Sequence, residues 1–95
     1  MTQQYLAGEL SLLLAQLRAV ATDEASARDL DRLRREAESM PLNTLASVTV
    51  RAIARADGMC WGSVARGDTA AFSRQAAAAA AIHEFGVCAH LLEEV

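Results

Sequence analysis

Residues 64 to 82 read VARGDTAAFSRQAAAAAAI. Gly67 is a helix-stop residue, and Asp68 or Thr69 beside it can cap a new helix start. The six alanines from Ala76 to Ala81 have the highest helix propensity available, so the run reads as ordered helix and not as low complexity. A turn this short makes the helices on either side antiparallel neighbours. Arg66-Gly67-Asp68 also spells an adhesion motif, but a helix stop followed by a helix start accounts for it.

The helix before the turn is expected over about residues 43–66. Leu45, Val48, Ala52, Ile53, Ala56, Met59, Cys60 and Val64 share one face, and Val50, Ala54 and Trp61 form a second apolar strip nearly opposite. The helix after the turn is expected over about 69–93, with Ile82, Phe85, Cys88, Ala89 and Leu92 on its apolar face. Symmetry about the turn sets Gly58 against Ala76 and Gly62 against Phe72. A mid-helix glycine costs about 1 kcal/mol relative to alanine, so a close approach to the alanine run is the expected reason for both. A helix break at Asp57-Gly58 is the competing reading.

Upstream, Met40-Pro41 interrupts helical periodicity because proline disfavours helix in the residue before it. Asn43 or Thr44 can cap the helix beyond it. A helix over about 23–39 begins after Thr22 as N-cap, with Ala27, Leu30, Leu33, Ala37 and Met40 as its apolar stripe. Its other face is charged, with Glu24–Arg28 and Asp31–Arg35 at i, i+4, and reads as a solvated face. A first helix over about 2–21 buries Leu6, Leu10, Leu13, Leu14, Leu17, Val20 and Ala21 and turns Gln4, Ser11, Ala15 and Arg18 outward. Tyr5 and Leu12 remain on a flank. The expected fold is all-α: one domain, an antiparallel up-down four-helix bundle.

Composition agrees. The chain has 95 residues, enough for one core, and 53% are hydrophobic while only 4% are aromatic. Leucine, valine and alanine must supply the packing, which suits helices over strands. All nine basic residues are arginines and the net charge is −3, which leaves no cationic surplus for phosphate backbones. No nucleic-acid partner is expected. The longest apolar run, Ala76 to Ile82, is far shorter than a membrane span, and no basic stretch precedes the leucines around 10–14. The expected setting is cytoplasmic, without a membrane partner. Cys60 and Cys88 fit a reducing compartment as buried, inert thiols, not as a disulfide.

Chemistry-bearing motifs are few. His83 and His90 are two helical turns apart, about 10 Å along the axis, too far to share one ion. Neither completes a Glu-x-x-His pair. There is no phosphate loop, nucleophile elbow or CxxC motif. The expectation is therefore no enzyme, no metal and no cofactor.

Two residue groups remain. Tyr5, Leu12, Val50 and Trp61 are apolar and surplus to one buried face per helix, so either the third helix is central and fully buried, with Trp61 in the core, or Trp61 anchors an interface. Arg51, Arg55, Gly58, Gly62 and Arg66 lie within about 80° around the third helix. Arg51 and Arg55 could meet an acidic helix, or simply flank a helix pair. The leading expectation is a protein-interaction or regulatory module, homodimeric or docking an acidic or apolar helix of another protein, through Trp61, Tyr5, Leu12, Val50, Arg51 and Arg55. The alternatives are a small-ligand sensor with Arg51, His83 or His90 as polar contacts in a pocket between helices, and an accessory subunit of an enzyme.

Overall fold

Gly67 adopts the left-handed conformation, with φ of 70°. Its N–H donates to the Val64 carbonyl at 3.0 Å, and that of Asp68 donates to the Ser63 carbonyl at 2.9 Å. The last carbonyls of one helix are thereby satisfied. The Asp68 carboxylate then accepts from the Ala71 N–H at 3.0 Å and opens the next helix. The computed structural model describes residues 3–39 and 42–89, and in it four helices follow in order: α1 (Gln3–Ala19), α2 (Glu24–Ser39), α3 (Leu42–Ala65) and α4 (Thr69–Cys88). No strand occurs among the described residues. The fold is an all-α, antiparallel four-helix bundle. Helix α3 packs most broadly on α4 and α1 on α2, while α2 against α3 and α1 against α4 close the square.

The helices start and stop near their expected bounds, with differences that have local causes. At the head of α2 the N-cap is Asp23, not Thr22: its carboxylate accepts from the Ser26 N–H at 2.8 Å. The Thr22 hydroxyl instead accepts from Arg66 across the bundle at 2.9 Å. Helix α3 is already helical at Leu42, ahead of the expected capping residues, and runs unbroken through Asp57-Gly58. The expectations on Met40-Pro41, His90 and Leu92 lie outside the described residues.

Leu6, Leu10, Leu14 and Leu17 from α1, Leu30, Leu33 and Ala37 from α2, Leu45, Val48, Ala52, Ala56 and Met59 from α3, and Ile82 from α4 form one buried core. Leu13, Val20, Ile53 and Phe85 pack at its edge. Four positions depart from the expected pattern. Cys60, assigned to the buried face of α3, is only half-buried, because its side of the helix borders an open groove against α4. Ser11, assigned to the outer side, is buried because α1 contacts both α2 and α4. Its hydroxyl donates to Glu38 at 2.9 Å and accepts from Arg34 at 3.1 Å, so the polar atom is satisfied. Val64, assigned to the core face of α3, is half exposed and belongs to the outward strip with Trp61. Cys88, expected buried, is exposed.

Polar groups also enter the bundle interior. Gln75 and Ser63 are fully buried. Gln75 accepts through its Oε1 from the Ser63 hydroxyl at 2.6 Å. Its Nε2 donates to the Val20 carbonyl at 3.0 Å and ties the end of α1 to the α3–α4 hairpin. No buried side-chain polar atom among the described residues is left without a partner.

Candidate functional site

The charged face of α2 is mostly exposed, as expected, but three of its acids pair with arginines of neighbouring helices. Arg18 of α1 pairs with Asp31 at 3.1 Å. Arg51 of α3 takes Glu36 with two nitrogens, at 2.9 and 3.2 Å. Arg55 of α3 meets Asp29 at 2.9 Å, and Asp29 also accepts from Arg32 within its own helix. The Glu24–Arg28 pair forms as spaced, at 3.2 Å on an open surface. Burial alone raises the Asp29 carboxyl, but the hydrogen bonds from Arg55 and Arg32 outweigh it and hold it below the ordinary value. The hydrogen bonds from Arg51 likewise lower Glu36 and raise Arg51.

The stripe Arg51, Arg55, Gly58, Gly62 and Arg66 is therefore real as a stripe, but it faces α2 and not α4. Arg66 reaches Thr22 in the turn before α2 and also donates to Ser63 at 3.2 Å. Gly58 shares a shallow cleft with Leu33, Arg51, Ala54 and Arg55. A Cβ built on Gly58 meets nothing within 4 Å, so the expected close approach to the alanine run does not occur. A Cβ on Gly62 meets only the Arg66 guanidinium, at 3.4 Å. Arg51 and Arg55 are spent on intramolecular pairs. His83 is exposed, and His90 lies outside the described residues. Among the described residues no group of histidine, cysteine and carboxylate side chains could hold a metal ion.

The apolar candidates behave differently. Trp61 is 73% exposed, Tyr5 54%, Leu12 56% and Val50 54%. Trp61 is joined by two residues that sequence reasoning did not assign to a surface, Val64 at 51% and Phe72 at 39%. These three, with Asp57, Cys60, Ala76 and Ala79, line an open groove of about 420 Å³ between α3 and α4. Its floor is built from small side chains, and Trp61 and Phe72 stand as its walls. Burial pushes the Cys60 thiol up, and the Asp57 carboxylate adds to that shift, so the sulfur lies in the groove as a neutral thiol. The signal for Phe72 was present in the sequence: it stands four residues before Ala76 and seven before Ala79, on one face of α4. It was missed because its expected partner across the hairpin was Gly62.

Three further clefts among the described residues are arginine-rich and open. One, of about 550 Å³, is lined by Arg28, Arg32, Arg35 and Arg55 with Asp29 and Asp31 among them. No helix among the described residues is long and apolar enough to cross a membrane. No protein family, curated protein or solved structure matches this chain.

Proposed function

We propose that this chain is a protein-interaction module that works through the outward face of the α3–α4 hairpin. The observation that carries the reading is the exposed cluster of Trp61, Val64 and Phe72 around one groove. Large aromatic side chains exposed to water are a loss to the folded monomer and a gain on contact, which is why such residues anchor interfaces. The groove is open and has few polar groups converging on it, which suits an extended apolar partner better than an enclosed small ligand.

Self-association is a second reading. It is favoured by Tyr5 and Leu12 on α1 and Val50 on α3, exposed apolar residues that do not line the groove. Two-fold pairing is the commonest way for a small helical protein to cover such residues.

Site-specific photocrosslinking in the native host tests the proposal. A benzophenone side chain in place of Trp61 is expected to form a discrete protein adduct, and one in place of the exposed Gln16 on α1 is not. An adduct of twice the chain mass identifies a second copy. Absence of any adduct from position 61, with the variant folded, overturns the proposal.

A further inference from the structure

The outward strip of α3 is longer than the groove. Val50, Ala54, Asp57, Trp61 and Val64 are all exposed and follow one another in steps of four, three, four and three residues. They lie within about 80° around the helix at 100° per residue. From first to last the strip runs about 21 Å, four helical turns. The facing bank repeats the rhythm: Phe72, Ala76, Ala79 and His83 of α4 are spaced by four, three and four. Alternating steps of three and four are the spacing of a coiled-coil seam. Two parallel banks with this period fit a third helix lying lengthwise between them, in the helix-in-groove mode.

Charge selects which helix. Asp57 is the one charged residue lining the groove. On α2, Glu24, Asp29, Asp31, Glu36 and Glu38 each sit against an arginine. Asp57, by contrast, pairs with no cation among the described residues. A helix laid in the groove takes water from that carboxylate, and a desolvated carboxylate without a counter-charge is strongly unfavourable. A second copy paired strip to strip does not supply the charge. Two-fold pairing of the strip puts Asp57 into the interface twice, and no residue of the strip is basic.

We infer that the α3–α4 groove accepts an amphipathic helix of a different protein, with apolar residues at three- and four-residue spacing and one lysine or arginine opposite Asp57. The inference rests on reading this face as an interaction surface and adds the chemistry of its partner.

Three synthetic peptides of about 20 residues, the length that spans the strip, test it. Each is helical and free of tryptophan, with leucine at the seam positions. They differ only in the central seam residue: lysine, leucine or glutamate. Trp61 is the sole tryptophan of the chain and reports binding by fluorescence. The lysine peptide is expected to bind about tenfold tighter than the glutamate peptide, to shift Trp61 emission to the blue, and to slow maleimide labelling of Cys60 but not of Cys88. Asp57→Asn should shrink the lysine-to-glutamate ratio to within about twofold, and Asp57→Lys should invert it. Asp57 is exposed, so both variants are expected to unfold at the wild-type midpoint.

Lysine and glutamate peptides that bind the wild type within about twofold of each other overturn the charge assignment and leave the face standing as an interaction surface. No response of Trp61 or Cys60 to any of the three peptides at millimolar concentration overturns both readings. A concentration-dependent dimer that buries Trp61 makes a second copy the occupant and overturns the inference alone.

Discussion

Replacing Gly58 by alanine should stabilise this protein. Gly58 sits in the interior of the continuous helix α3, exposed, and the only positive φ among the described glycines belongs to Gly67. An added Cβ at Gly58 meets no atom within 4 Å, so no contact opposes the substitution. What remains is backbone entropy: glycine is about 0.8–1.0 kcal/mol poorer than alanine inside a helix. For a domain of this size that corresponds to a rise in Tm of about 4–8 °C. Thermal and urea unfolding followed by circular dichroism measure it. Gly62→Ala should move the same way by less, since the new methyl group meets the Arg66 guanidinium at 3.4 Å, a group held by Thr22 and Ser63. Gly67→Ala should lose about 1–2 kcal/mol, because φ of 70° is strained for a residue with a Cβ. A lower midpoint for Gly58→Ala would refute the reasoning, because it would mean that Gly58 closes against a neighbouring helix after all.

Gln75→Leu should cost about 1–3 kcal/mol in urea unfolding, since it strips the Val20 carbonyl of its donor inside the bundle; an unchanged midpoint would show the network to be dispensable. Stability should also depend on acid. Asp23, held low by the Ser26 hydroxyl and N–H, and Asp29 and Glu36, held low by their arginines, all have folded-state values below the ordinary 3.8 (Asp) or 4.5 (Glu). The folded state therefore binds fewer protons than the unfolded one. Stability should hold above about pH 4.5 and fall as pH drops through the depressed values, with a shallower fall in Asp29→Asn. A flat unfolding midpoint from pH 6 to 3 would contradict this. Finally, a maleimide at pH 8 should label exposed Cys88 before Cys60, whose thiol is raised by burial, and native protein should show no Cys60–Cys88 disulfide on peptide mapping. Cys60 lies near the α3–α4 turn and Cys88 at the far end of α4, which at 1.5 Å per residue sets them roughly 20 Å apart along the hairpin, beyond the ~7 Å Cα limit of a disulfide.

Helix number, order and approximate bounds were legible in the amino-acid sequence because they depend on local physics. Leucines at i, i+3, i+4 and i+7 mark the buried side of α1 whatever lies opposite, and the Gly67-Asp68 stop and start satisfies backbone groups within a few residues of itself. That Tyr5, Leu12, Val50 and Trp61 are surplus apolar residues was legible for a similar reason, since each lies outside the main stripe of its own helix; that Trp61 ends in water and not in the core is decided by the packing. Angular position, however, names a direction and not a neighbour. The glycines of α3 were rightly grouped with Arg51 and Arg55 on one stripe, yet that stripe faces α2. Only the packed bundle, in which Glu36 and Asp29 stand opposite those arginines, shows it. The same limit hid the burial of Ser11 and Gln75, whose hydroxyl and amide are tolerated inside because partners 27 and 55 residues away in sequence satisfy them. It also hid the groove itself. Trp61 and Phe72 belong to different helices, and what places them on two walls of one channel is the rotation of α3 about its axis against α4, set by how the whole core packs.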